Sequence, residues 1–289
     1  MVLTYIGWLI TVRKVKSTTI SQYLSGLRTA HLKRGLMPQN LRPDIVKSIL
    51  KGQEHSEAKE NKPPRLAITL PVMKLLKRLL KGSALNLHTK RMLWAVSCIA
   101  FHGSFRIHEL LSREESNYDP TTTLLGMNIR VITVRVGDRD ENILVVNLKN
   151  PKEDKYGMGV NVELFETKTF SCPVTSWIKL LNVSTVKPCP TKPVFRQSNG
   201  KCLTGAKFNK VLKSLLGQYL DYGKGQYLSH SFRSGVASMM AEAGYSDEVI
   251  MRQGRWHSQA FLRYCKTGRG SRLREQRALA QSLANLTAK

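Results

Sequence analysis

The chain has 289 residues, enough for one large core or two smaller ones. Its 46 Lys and Arg against 20 Asp and Glu give a formal net charge of +26, a field that attracts polyanions, nucleic acid first among them. The basic residues are spread along the chain, no lipidation motif is visible and no apolar stretch reaches the length of a membrane span, so a membrane partner is not expected.

The first apolar run, Val2 to Val12, is followed, not preceded, by Arg13, Lys14 and Lys16, which is the wrong order for a signal peptide. Helical spacing continues from Ile20 through Tyr23, Leu24, Leu27 and His31 to a stop at Gly35, and a third helix is predicted from about Pro43 through Ile45, Ile49 and Leu50 to Gly52. These helices form a first domain over residues 1–57. Met1 lies close to a helix already under way, so this module is expected to be abbreviated. Glu54 to Arg65 is charged, carries Pro63-Pro64 and lacks apolar periodicity; a linker is placed at 58–66 and a larger domain at 67–289.

In the larger domain, Leu70-Pro71 opens a helix through Met73, Leu75, Leu76, Leu79 and Leu80, and Met92 to Phe101 reads as a buried helix, followed by HGSFRIHELLSRE with Arg106 and Glu109. The period then changes to two. Asn128 to Val136, Asn142 to Leu148 and Val160 to Phe165 are predicted strands of an antiparallel sheet. Between the last two, KNPKEDKYGMG is a polar turn that projects Lys149, Lys152 and Lys155 from the sheet edge. Helical pattern returns in PVTSWIKLL and in AKFNKVLKSLLGQYL. The fold class is therefore mainly α with a small antiparallel β-sheet.

Leu228 to Tyr264 is the segment on which the chemistry turns. His230 and Arg233 are three apart and share a helix face; the chain turns at Gly244, restarts at Ser246 with Asp247 and Glu248 in the first turn, turns again at Gly254, and carries Tyr264 on a last short helix. A tyrosine beside Phe261 is ordinarily core packing, Trp256 is ordinarily an anchor, and His230 and Arg233 ordinarily cap or pair. Together a guanidinium, an imidazole, an indole and a phenol suit phosphate chemistry with a tyrosine nucleophile. The five cysteines, Cys98, Cys172, Cys189, Cys202 and Cys265, have no zinc-site spacing and are read as reduced thiols, and no cluster of acids suggests a two-metal site.

Arg106-x-x-Glu109, a hairpin lysine, His230-x-x-Arg233, Gly-Arg-Trp256 and Tyr264, in that order, resemble the tyrosine recombinase or phage integrase family. HGSFRIHELL, PKEDKYGMGV, PVFRQSNGKCLT, HSFRSGVAS and GRWHSQAFLRY look most like the recombinases of eukaryotic mobile elements, the DIRS-like and crypton groups. The resemblance implies a short helical core-binding (SAM-like) domain before the catalytic domain. It further implies that Tyr264 attacks a scissile phosphate, leaving a 3'-phosphotyrosyl link and a free 5'-hydroxyl, so that strand exchange needs neither metal, ATP nor cofactor. Arg106 and Arg233 would hold the non-bridging oxygens, Lys152 or Lys149 would protonate the leaving oxygen, His230 would transfer protons and Glu109 would support Arg106. Trp256 stands eight residues before Tyr264 where the family usually has nine, which leaves open whether Trp256, His257 or Arg255 faces the phosphate. The implied partners are double-stranded DNA and further copies of the chain in a tetramer on paired sites. The implied location is the nucleus in a eukaryotic host, otherwise cytoplasm or nucleoid. A type IB topoisomerase and a domesticated, non-catalytic DNA-binding protein are the competing readings.

Overall fold

A computed structural model describes residues 1–38, 43–59, 66–149, 159–186, 188–217, 226–256, 258, 261 and 262. The chain divides into two compact units, Met1–Pro63 and Pro64–Lys289.

The first unit contains helices α1 (Val2–Thr11), α2 (Ser17–Lys33) and α3 (Pro43–Lys59). Ile6 and Leu9 of α1 are buried with Ile20 and Leu24 of α2, and Val46, Ile49 and Leu50 of α3 pack against them. Of the predicted apolar row on α2, Tyr23 and Leu27 remain exposed. Helix α3 does not stop at Gly52 but runs on to Lys59. Its extra turns are rich in good helix formers, and they bring Glu57 to the start of α2, where its carboxylate accepts the Ser17 N–H at 2.6 Å and the Ser17 hydroxyl at 3.3 Å. That satisfies a first-turn donor that a helix cannot satisfy internally.

The second unit is organised around helix α5 (Leu87–His102), which Asn86 caps by accepting the Thr89 N–H at 2.8 Å. From Met92 to Phe101 every residue of α5 is buried, as expected of a helix apolar on all sides. Helix α4 (Leu70–Gly82) lays Met73, Leu76 and Leu80 against this core, α7 (Pro173–Val183) contributes Val174, Trp177 and Leu180, and α8 (Gly205–Gly217) contributes Phe208, Leu212 and Leu216. Helix α9 (His230–Glu242) packs on α5 through Phe232. Its Gly235 meets the main chain of Ile68 so closely that a Cβ there would lie 1.8 Å from the Ile68 carbonyl oxygen.

The sheet has the antiparallel order β1-β2-β3, with β1 at Ile129–Val136, β2 at Arg139–Leu148 and β3 at Val160–Phe165. Strand β2 begins three residues before the predicted Asn142. A two-residue turn at Gly137-Asp138, with Gly137 at φ +59°, pairs Val136 directly with Arg139 and so starts the ladder at the turn itself. Ile143 to Val146 are buried in succession because β2 is the central strand. The cysteines Cys98, Cys172, Cys189 and Cys202 are free thiols. Among the described residues no helix is long and apolar enough to cross a membrane.

Candidate active site

The site begins where α5 ends. Gly103 is followed by Ser104, whose φ of +47° reverses the chain. At Gly103 a Cβ would meet the Phe105 ring at 2.2 Å, so the reversal requires glycine there. Arg106 then stands at the N-cap of the short helix α6 (Ile107–Leu110). Glu109, buried on that turn, accepts the Arg106 main-chain N–H at 2.8 Å and the Arg106 guanidinium at 3.0 Å. One carboxylate thus orients both the backbone and the side chain of the predicted phosphate-binding arginine, with charge-assisted bonds at each contact.

The second arm of the site comes from α9 and from α10 (Asp247–Gly254), which Ser246 caps through the Val249 N–H. Arg233 is 1% exposed. Its guanidinium donates from Nη1 to the Ser104 carbonyl and from Nη2 to the Gly254 carbonyl at 2.8 Å, and the Trp256 ring lies over it with its centroid 4.6 Å from Cζ, a cation–π arrangement. His230, half-buried, opens α9 one turn before Arg233.

Sequence spacing places the turn at Gly254, but the left-handed residue is Arg255, at φ +52°, and Gly254 is the last residue of α10. Gly254 has a different task. A Cβ there would lie 1.9 Å from the Trp256 ring, so glycine is what allows the indole to fold back over the helix end toward Arg233. Arg255 itself turns to the α5–α6 reversal. It donates to the Gly103 carbonyl at 2.8 Å, to the Ser104 carbonyl at 3.5 Å and to the Glu109 carboxylate at 3.1 Å, and its Cζ sits 4.8 Å above the Phe105 ring. Gln253 adds a bond to the His102 carbonyl at 2.8 Å. The sequence leaves Arg255 open, with Trp256 and His257, as the side chain that faces the phosphate, and carries no sign of its bonds to Gly103, Ser104 and Glu109. The role of Arg255 in the site depends on a positive φ at a non-glycine residue, for which the local sequence carries no signal.

These contacts set two guanidiniums, Arg106 and Arg255, on one carboxylate, Glu109, and a third, Arg233, on the Ser104 carbonyl that Arg255 also reaches. The four side chains carry an excess of two positive charges, which favours an anion beside them. A cavity of about 260 Å³ opens next to Glu109, lined also by His108, Arg113, Asn128, Asn147 and Lys149. Lys149 sits at the end of β2, where its Nζ donates to the Pro120 carbonyl at 3.5 Å. An asparagine ladder, Asn128 to Asn147 at 3.4 Å and Asn147 to Asn161 at 2.8 Å, ties that end of the sheet together. His108 is exposed at the cavity mouth, but partial desolvation first, and then the nearby arginines, hold its imidazole below the ordinary pKa against the pull of Glu109.

Of the predicted site residues, Arg106, Glu109, Arg233 and Trp256 are brought together through shared contacts, Lys149 lines the cavity beside Glu109, and His230 lies one helical turn from Arg233. Lys152, His257 and Tyr264 lie outside the described residues. Among the described residues no group of three or more His, Cys, Asp and Glu could hold a metal ion.

No protein-family model matches the sequence, and no curated protein matches it. Among solved structures, the chain is similar to the XerH site-specific recombinase, solved bound to a palindromic difH substrate as a post-cleavage complex, with a TM-score of 0.51 and 14% identity over 77% of this chain and 54% of that one. The chain thus spans about half the length of that XerH chain. It is also similar to XerA recombinase, with a TM-score of 0.47 and 13% identity over 96% of this chain and 81% of that one. For the Tn1549 transposon integrase in complex with circular intermediate DNA, the TM-score is 0.43 with 14% identity, over 91% of this chain and 85% of that one. The mainly helical architecture with its three-stranded antiparallel sheet is the tyrosine recombinase fold.

Proposed function

We propose that the chain is a tyrosine-type DNA strand transferase of the tyrosine recombinase family. The observation that carries this reading is the joining of Arg106 and Arg233 to one short segment, Ser104–Glu109, by the Ser104 carbonyl and the Glu109 carboxylate. Two arginines far apart in sequence are thereby both anchored to one six-residue segment of a recombinase fold. Guanidiniums so held are suited to the oxygens of a phosphate whose charge rises in the transition state.

On this reading Tyr264 is the nucleophile. Its oxygen forms a bond to phosphorus, the bond to the 5'-oxygen breaks, and the departing oxygen takes a proton from Lys152 or Lys149, with His230 in proton transfer. Arg233 is closed off in the state described, so contact with a phosphate requires the cover over it, the Trp256 indole included, to move. Arg106 is the more open of the two, at 14% side-chain exposure. The reaction conserves the phosphodiester in a phosphotyrosyl bond, and metal and ATP are not required by it. The net charge of +26 supports strong, salt-dependent DNA binding. Order in the motifs supports a mobile-element recombinase of the DIRS-like or crypton type, acting in the nucleus as a tetramer on paired sites.

The test is covalent trapping. The full chain and its Tyr264→Phe variant are incubated, with chelator, with nicked suicide duplexes cut from the ends of the candidate element. A denaturant-resistant, protease-sensitive protein–DNA band that the variant lacks supports strand transfer. Binding without an adduct across all such ends favours a non-catalytic DNA-binding protein. An adduct, together with relaxation of a supercoiled plasmid in a parallel incubation and a protein monomeric on DNA, favours a type IB topoisomerase.

A further inference from the structure

Helices α4 and α5 carry matching stripes at helical spacing. On α4 the residues are Lys74, Lys77, Arg78 and Lys81, and on α5 they are Leu87, Lys90, Arg91 and Trp94. Each set follows i, i+3, i+4, i+7, the spacing that puts four side chains on one face. The two faces line a groove of about 510 Å³ whose floor includes Leu80. Six cations border it, and among the described residues no carboxylate lines it. Like charges at this spacing oppose the helix that carries them, so the arrangement calls for anionic charge from outside.

The floor gives the ligand a second property. Leu87 is 55% exposed at the start of α5, and Leu80 and Trp94 close the groove beneath it. Nucleic acid fits this floor poorly. A sugar–phosphate backbone has no apolar side chain to seat there, and stacking of a base needs an open aromatic face. Trp94 offers none, since it is 7% exposed, stacked on Phe170 at 6.4 Å and covered by the Lys77 ammonium at 5.5 Å. That ammonium is itself fixed by donation to the Phe170 carbonyl at 3.2 Å, and Lys90 is fixed by donation to the Lys81 carbonyl at 3.0 Å. The rim is thus partly ordered before anything binds, which lowers the entropy cost of docking. The groove also stands apart from the candidate active site. Trp94 lies eight residues before His102 on α5, about 12 Å along the axis.

We propose that this groove docks an acidic amphipathic segment of a partner protein, one apolar side chain seated against Leu80 and Leu87 and its carboxylates paired with the flanking lysines and arginines. An apolar anchor in a groove with complementary charge around it is a common mode of peptide capture. Docking here is independent of strand transfer and holds whether or not Tyr264 is a nucleophile.

The probe is a fluorescein-labelled peptide with Leu and Phe at i, i+3 and i+7 among glutamates, titrated with the full chain by anisotropy. Two comparison peptides replace every glutamate by glutamine or every apolar residue by serine. Saturable binding is expected for the amphipathic acidic peptide, with each comparison peptide weaker by about tenfold or more. Leu87→Asp and the double substitution Lys74→Glu with Arg78→Glu change exposed side chains. Both are expected to weaken the peptide by a similar factor while leaving binding of a short DNA duplex within about twofold. Three results would overturn the proposal: equal binding of the serine peptide, which makes the groove a general polyanion surface; a matching loss of duplex binding in the groove variants, which makes it a DNA surface; or wild-type affinity for the peptide in both variants.

Discussion

The guanidinium of Arg255 lies 3.1 Å from the carboxylate of Glu109, across 146 residues of sequence, with side-chain exposures of 15% and 5%. Glu109 also holds Arg106, so the helix that follows α5 and the turn that follows α10 share one carboxylate. A pair this far from water is costly to form and more costly to break, because removal of one partner strands the other's charge.

Glu109→Ala is therefore expected to destabilise the second unit by about 3–5 kcal/mol. Glu109→Gln, which keeps the shape and one acceptor but not the charge, is expected to cost less. Urea unfolding followed by circular dichroism measures both, and equal midpoints for the wild type and Glu109→Ala would show that the carboxylate carries no such weight.

Arg233→Lys tests the two-pronged contact of the buried arginine. A single ammonium cannot reproduce a planar fork aimed at the Ser104 and Gly254 carbonyls beneath an indole. A loss of about 1–3 kcal/mol is expected from the carbonyl left without its donor. On the proposed function, strand cleavage is lost as well. A lysine variant with wild-type stability and cleavage would contradict both expectations.

Two glycines give opposite signs. Gly235→Ala drives a Cβ toward the Ile68 carbonyl at 1.8 Å, a main-chain neighbour that cannot rotate away, and is expected to lower stability by about 1–3 kcal/mol. Gly26, exposed within α2 with nothing within 4 Å of a Cβ, is expected to gain up to about 1 kcal/mol as alanine. Thermal unfolding of each variant against the wild type reads the two shifts.

Stability should also fall in mild acid. Burial is the first cause that lowers the pKa of His102, and the Ser171 hydrogen bond opposes it only in part; the same cause acts on the more exposed His108 to a smaller degree. A histidine whose folded pKa lies below the unfolded value of about 6.5 binds fewer protons folded than unfolded. Its contribution is fully present above that value and is lost as pH falls toward the folded pKa. The urea midpoint should drop as pH falls below about 6.5, and His102→Gln should flatten part of that slope. An unchanged slope in the variant would remove His102 from the account.

Much of the scaffold is legible in the residues alone, because burial leaves a periodic trace. Strands β1 and β3 show it as alternation, whereas Met92 to Phe101 and Ile143 to Val146 are legible as nearly unbroken apolar runs, the mark of a helix and a central strand buried on all sides. The start of β2 at Arg139 is less legible, since its first residues are charged and the pairing comes from the Gly137-Asp138 turn. The run of α3 to Lys59 is masked by a composition that suits a linker as well as a solvated helix, and only the contact of Glu57 with Ser17 distinguishes them. In the site, the three-residue spacings of Arg106 with Glu109 and of His230 with Arg233 are visible as local pattern. The bonds from Arg255 to Gly103, Ser104 and Glu109 are not, because they join distant segments through a left-handed residue that is not glycine.

The measurement closest to the central claim is the identity of the residue that carries DNA after trapping. The adduct on a nicked suicide duplex is digested with protease and nuclease, and the remaining nucleotide-bearing peptide is sequenced by mass spectrometry. A nucleotide joined through its 3'-phosphate to Tyr264 is expected. A nucleotide on any other residue, or a 5'-phosphate linkage, would contradict it.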